Sequence, residues 1–133
     1  MTFQFHHGLI WVALKLIYEE QPVVIENCIL DTGSAGSAID IHLIPFNYRK
    51  PSRLRQLVGI GGGKQEVITQ KVESIEFADH IISDIEIEFG NLNIDLGING
   101  FIGTDILSKF SVNINFSKQE LTLSEEAPLL KPF

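Results

Sequence analysis

The sequence predicts an all-β fold with one short helix. Its apolar residues come in runs of strand length, rich in Val, Ile and Leu, several of them alternating with polar residues. Clusters of turn-forming residues separate these runs. At 133 residues with 44% hydrophobic content, the chain has material for one core, and a single domain over residues 1–133 is expected.

Each element has its own justification. Residues 9 to 17 and 22 to 30 are apolar arms around the polar turn Glu19-Glu20-Gln21-Pro22, a hairpin whose second arm delivers Asp31. Residues 41 to 46 continue apolar, and residues 47 to 56 read as a polar, basic connection broken by Pro51. Two apolar arms around a glycine cluster follow, with Val67 to Val72 alternating loosely, and form a long hairpin. Residues 74 to 90 alternate apolar and polar as two short strands, with Ala78-Asp79-His80 as the turn. Residues 104 to 110 are the helix candidate, with Gly103 or Thr104 near its cap and Asp105 at the positive end of the helix dipole. The strands VNINF and LTLSEE flank Ser117-Lys118-Gln119-Glu120 as a closing hairpin.

Composition and spacing exclude several classes of function. The formal charge is −7, from 17 acidic against 10 basic residues, and no basic run offers a stripe for phosphates, so no nucleic-acid partner is expected. The apolar N-terminal stretch lacks a basic flank, is interrupted by Lys15 and runs into Tyr18-Glu19-Glu20, which is unlike a leader peptide. No run is long enough to cross a bilayer, so no membrane partner is expected. The single cysteine, Cys28, lies in an apolar run and reads as a core residue, which fits a reducing, cytoplasmic setting. The glycines of GIGGGK match neither phosphate-binding loop, because Lys64 and Gln65 stand where glycine and Ser/Thr are needed. Thr32 takes the place of the first glycine of a serine nucleophile elbow. Adjacent His6 and His7 on a strand point to opposite faces, and His42 and His80 lack near partners, so neither metal nor cofactor is expected.

One feature is out of place in a plain β domain. Ile29-Leu30 run directly into Asp31-Thr32-Gly33, and a carboxylate at the end of an apolar strand is costly unless it is held there for use. Residues 101 to 105, Phe-Ile-Gly-Thr-Asp, echo this pattern and suggest two halves of similar shape. The ordered set ILDTGS, VGIGGGKQEV and GFIGTDIL resembles the retropepsin-like aspartic proteases of retroviruses and retrotransposons, over residues 9 to 124. That resemblance implies a half-barrel of pseudo-symmetric halves, active as a homodimer, and an aspartic endopeptidase acting on peptide or protein substrates without a cofactor. Hydrolysis by this route needs two facing carboxylates that share a proton. The chain has one Asp-Thr-Gly, so the second carboxylate comes from another copy.

By the same resemblance Asp31 is catalytic, and Thr32, Gly33 and Ser34 form the active-site loop, Thr32 bonding across the two-fold axis. Gly59, Ile60, Gly61 and Gly62 form the tip of a flap over the substrate, and Phe101, Ile102 and Gly103 form a subsite wall and its tight turn. A catalytically silent peptide-binding or dimerisation module of the same fold is the alternative. The chain also departs from the viral pattern: Ala35 and Gly36 replace acidic residues, and Thr104 replaces an arginine, so the familiar interface ion pair is missing. Ser34, where many viral members have alanine, resembles the pepsin-like Asp-Thr-Gly-Ser; a hydroxyl donated to the Asp31 carboxylate would favour its ionised form, and the expectation is a mildly acidic optimum.

Overall fold

The computed structural model describes residues 1–58, 63–92 and 97–125. Short β1 (Gln4–His6) turns through His7-Gly8, both at positive φ, into β2 (Leu9–Tyr18). Along β2 the side chains of Val12, Leu14, Leu16 and Tyr18 face the core at every second position. Glu19 and Glu20, with φ of 48° and 68°, make the tight turn into β3 (Gln21–Leu30), matching the twist of a hairpin. The backbone N–H groups of both donate to the Glu73 carboxylate, at 3.2 and 2.6 Å.

A bulge then resets the pattern of β3. Between Ile25, opposite Leu14, and Cys28, opposite Val12, the strand carries an extra residue, with Asn27 at φ 57°. Ile25 and Cys28 therefore both face inward although an odd number of positions separates them. Burial without a cation pushes the Cys28 thiol up to about 12, so it acts as a small apolar residue.

After Asp31 the chain forms β4 (Ala38–Asp40) and a 3-10 turn (Ile41–Leu43), in which the Asp40 carboxylate accepts from the His42 N–H at 3.0 Å. The polar, basic stretch expected to be a connection becomes β5 (Ser52–Val58), an edge strand paired with β6 (Lys64–Phe77). Its arginines are accommodated because they reach across β6 to acidic partners: Arg53 to Glu86 at 2.7 Å and Arg55 to Glu88 at 3.5 Å. Ala78 and Asp79, at φ 48° and 67°, turn the chain into β7 (His80–Gly90). The two short strands expected here are long, fourteen and eleven residues. Then come β8 (Gly100–Ile102), helix α1 (Thr104–Leu107), β9 (Ser111–Asn115) and β10 (Glu120–Ser124). The helix is shorter than expected because Lys109 and Phe110 continue it with tighter bonds to residues three back.

The main sheet runs β1-β2-β3-β8-β4-β7-β6-β5, and an extra β2–β6 pairing joins its two arms. The strands β2, β3, β8, β4, β7 and β6 thus close a ring around the core. β6 serves both ends: residues 64–70 pair with β5, and residues 74–76 pair with β2. The connections follow a two-fold pattern, with hairpin β2–β3 followed by β4 matching hairpin β6–β7 followed by β8. β3 pairs parallel to β8, and β7 pairs parallel to β4. Inside the ring Leu16, Ile25, Ile39, Ile75, Ile87, Phe89, Ile102 and Ile106 are 0–1% exposed, each such burial contributing about 1.5–3 kcal/mol. The β9–β10 hairpin inserts Leu121 and Leu123 into the same core. Among the described residues no helix is long and apolar enough to cross a membrane.

One polar network fixes the loop after β4 to this core. The buried Tyr18 hydroxyl donates to Gln70 Oε1 at 2.8 Å and accepts from the Asn47 N–H at 2.9 Å, while Gln70 Nε2 donates to the Asn47 carbonyl at 2.8 Å. Tyr18→Phe strands a buried acceptor and a backbone donor, and is expected to cost about 1–3 kcal/mol. Urea unfolding at fixed protein concentration checks this as a lowered midpoint with an unchanged slope.

Candidate active site

The two stretches that echo each other in sequence lie side by side in space. Ile29 is opposite Phe101 and Leu30 opposite Ile102 in the parallel β3–β8 pair, and the Asp31 N–H extends the ladder to the Ile102 carbonyl at 2.9 Å. Asp31 therefore leaves the sheet at a position set by backbone register. Its Oδ1 accepts the Gly33 N–H at 2.9 Å, an Asx turn that aims the carboxylate. A Cβ on Gly33 would lie 3.2 Å from that oxygen, so the glycine serves close approach to the carboxylate. The Ser34 N–H closes the turn on the Asp31 carbonyl at 3.3 Å.

A second set of bonds ties this loop to the start of α1. The Ser37 hydroxyl donates to Asp105 Oδ1 at 2.7 Å and accepts the Gly103 N–H at 3.0 Å, while the Ser37 N–H donates to Asp105 Oδ2 at 3.0 Å. The Ile106 N–H also donates to Asp105 Oδ1, at 2.9 Å. The Asp105 carboxylate thus joins the loop to the helix, a larger role than complementing a dipole. Thr104 adds its N–H and hydroxyl to the Ser34 carbonyl, at 2.8 and 3.2 Å. Gly103 caps the helix with an extended backbone. A Cβ there would lie 2.5 Å from the Ser34 carbonyl oxygen and 2.8 Å from that of Gly36, so the close packing of loop on helix requires glycine.

Asp31 opens onto a cleft of about 660 Å³, lined also by Gly33, Ser34, Ala35, Ala38, Gly63, Lys64, Gln65, Val67, Glu88, Leu92 and Phe101. Thr32 and Gly33 are exposed on the single chain. Phe101 and Ile102 separate, as neighbours on a strand do: Phe101 lines the cleft, whereas Ile102 is 0% exposed in the core. Ile102 is therefore a core residue and not a wall of the cleft. The Ser34 hydroxyl donates to the Gly36 carbonyl at 2.8 Å instead of to Asp31, because the loop folds back on itself within two residues. The basis for expecting a mildly acidic optimum from Ser34 is thereby removed. Gly59, Ile60, Gly61 and Gly62, the expected flap tip, lie outside the described residues.

Sequence reasoning passed over Ser37, Asp105 as a loop anchor, and Glu88. Burial pushes the Glu88 carboxyl above its ordinary value of 4.5; the Arg55 guanidinium draws it back, and the Asp105 carboxylate pushes it further up. The Glu88 N–H meanwhile donates to the Ser37 carbonyl at 3.0 Å, tying β7 to the same loop.

The sequence model of the retroviral aspartyl protease family matches residues 12–115. A crystal structure of a retropepsin-like aspartic protease from Rickettsia conorii shares the fold with a TM-score of 0.58. It covers 92% of this chain and 85% of that one at 14% identity. None of the curated proteins matches.

Gly103→Ala is expected to destabilise the protein by about 1–3 kcal/mol, through the clash of its Cβ with two carbonyls. Gly63→Ala, where nothing lies within 4 Å of the new carbon, is the control expected to leave the unfolding midpoint in place. A second expectation concerns pH. As pH rises past 4.5, the unfolded chain ionises Glu88 while the folded chain still holds the proton, so stability falls until the raised folded value is passed. Glu88→Gln removes that loss. Its stability relative to wild type is expected to increase from pH 4 to pH 7, as unfolding measured across that range will show.

Proposed function

This chain belongs to the retroviral aspartyl protease family, and on that footing we propose that it is an aspartic endopeptidase, active as a symmetric homodimer that pairs Asp31 from each copy. One observation carries the reading: the chain's single Asp-Thr-Gly stands at the end of a core strand, with its Asp31 lining the cleft.

The chemistry follows from pairing that carboxylate with its own image. Two carboxylates on a two-fold axis repel and share one proton. The ionised member takes a proton from water as the water attacks the scissile carbonyl carbon. The protonated member hydrogen-bonds the carbonyl oxygen as negative charge develops there. Collapse of the tetrahedral intermediate breaks the C–N bond, and a proton passes from the pair to the leaving amine. Thr32 and Gly33, exposed on the single chain, are the surface such a pairing would cover. The substrate fitting the cleft is a peptide bound as an extended strand, with apolar side chains against Ala38, Val67 and Phe101.

Asp31→Asn is expected to abolish cleavage of a mixed peptide library between pH 3.5 and 7.5 while leaving the mass in solution that of a dimer. Added in excess, the same variant is expected to suppress wild-type cleavage, because mixed dimers hold one carboxylate. Cleavage that survives Asp31→Asn, or wild-type activity from a monomer, would sink the mechanism.

A further inference from the structure

Glu88 sits at the wall of the cleft in an arrangement the hydrolytic mechanism does not use. It stands on β7 opposite Ala38 on one side and Thr69 on the other, and it is 9% exposed. Its carboxylate occupies the space that a side chain at position 36 would fill: a Cβ on Gly36 would lie 2.7 Å from Oε1 and 3.0 Å from Cδ. Gly36 thus makes room for a carboxylate delivered from a different strand.

The surroundings of this group are lopsided. Glu88 borders the cleft that holds Asp31, and also a neighbouring hollow of about 490 Å³ that Arg55 lines. Arg55 approaches from the hollow, and its Nη1 stands 3.5 Å from Oε1, with the arginine side chain half exposed. That is a long contact for an ion pair. A carboxylate has about four acceptor positions, and among the described residues this is the contact its oxygens make within hydrogen-bonding range. On the cleft side the lining combines the apolar Ala38, Val67 and Phe101 with Gln65, Asp31 and one cation, Lys64, which makes no hydrogen bond or ion pair to Glu88 among the described residues. A buried carboxylate with spare acceptors beside apolar walls is matched by an incoming cation whose aliphatic stem lies along those walls.

We propose that Glu88 determines specificity, selecting a lysine or arginine side chain at a subsite flanking the scissile bond. The inference rests on the endopeptidase reading for its substrate and deepens it by naming a substrate class. A site that holds a charged group rejects the neutral analogue, because the buried partner is then left unpaired.

The test uses peptides identical except for Lys, Arg, Leu or norleucine at each position near the cut. Cleavage is measured with wild type and Glu88→Gln, and binding with Asp31→Asn and with Asp31→Asn carrying Glu88→Gln. Wild type is expected to favour Lys or Arg at one position by about tenfold or more over norleucine, in kcat/KM and in binding, and Glu88→Gln to lose that ratio. Arg55→Gln removes the competing cation and is expected to widen the ratio, which keeps the test open should Glu88→Gln fold poorly. Cleavage with no basic preference, a ratio indifferent to both substitutions, or a fall that is equal for lysine and norleucine peptides overturns the inference and leaves the endopeptidase reading standing. Glu88-dependent binding of basic peptides without cleavage by wild type does the reverse. Neither cleavage nor preferential binding removes both.

Discussion

The structure depends on the register of β3 against β8. Parallel strands take their alignment from slanted backbone hydrogen bonds, and here the ladder runs from Cys28 opposite Gly100 to Leu30 opposite Ile102, then one bond further to Asp31. A slip of one residue would turn Ile29 and Ile102 to the wrong faces and carry Asp31 away from the cleft. The glycines at both ends of β8 make the fit specific. A Cβ on Gly100 would lie 2.8 Å from the Ala38 carbonyl, and one on Gly103 would lie 2.5 Å from that of Ser34. Core packing and placement of the carboxylate are therefore the same constraint, seen from opposite ends of a strand.

The loop is held in this register almost entirely by neutral donors. Asp105, whose carboxylate joins loop to helix, accepts from the Ser37 and Ile106 N–H groups and from the Ser37 hydroxyl, so its charge is spread over N–H and O–H groups. Thr104 contributes two donors to the Ser34 carbonyl. These bonds lie within one chain. The geometry of Asp31 is thus set within the single chain, and under the homodimer reading association would not have to supply the ordering of that loop.

How much of this could be read from the sequence depended on the range of the interaction. The hairpins at Glu19-Glu20 and Ala78-Asp79 were legible from the apolar runs flanking them, although neither turn has the Asn-Gly chemistry that usually marks one. Asp31 was legible because a carboxylate directly after Ile-Leu is an anomaly within five residues. The bulge at Asn27 was not, since nothing local distinguishes it from a polar position on an exposed face. β5 was hidden because Arg53 and Arg55 look like loop residues until Glu86 and Glu88, thirty-three positions away, are seen beside them. Ser37 and Asp105 stand 68 residues apart, and only the crossing of β4 with β8 brings them together. Phe101 and Ile102 were both candidates for the cleft because a two-residue run has no visible phase; the parallel register supplies it.

Under the homodimer reading, the same placement couples assembly to protonation. In the single chain Asp31 is partly exposed and faces the cleft. Bringing two copies together sets one carboxylate against its image, and two facing carboxylates share a proton. Each chain also brings a formal charge of −7, which adds a longer-range repulsion that salt screens. Proton binding and association are then linked equilibria, and each favours the other. The protonation state that the chemistry requires, one carboxylate charged and one neutral, is the state that association itself selects.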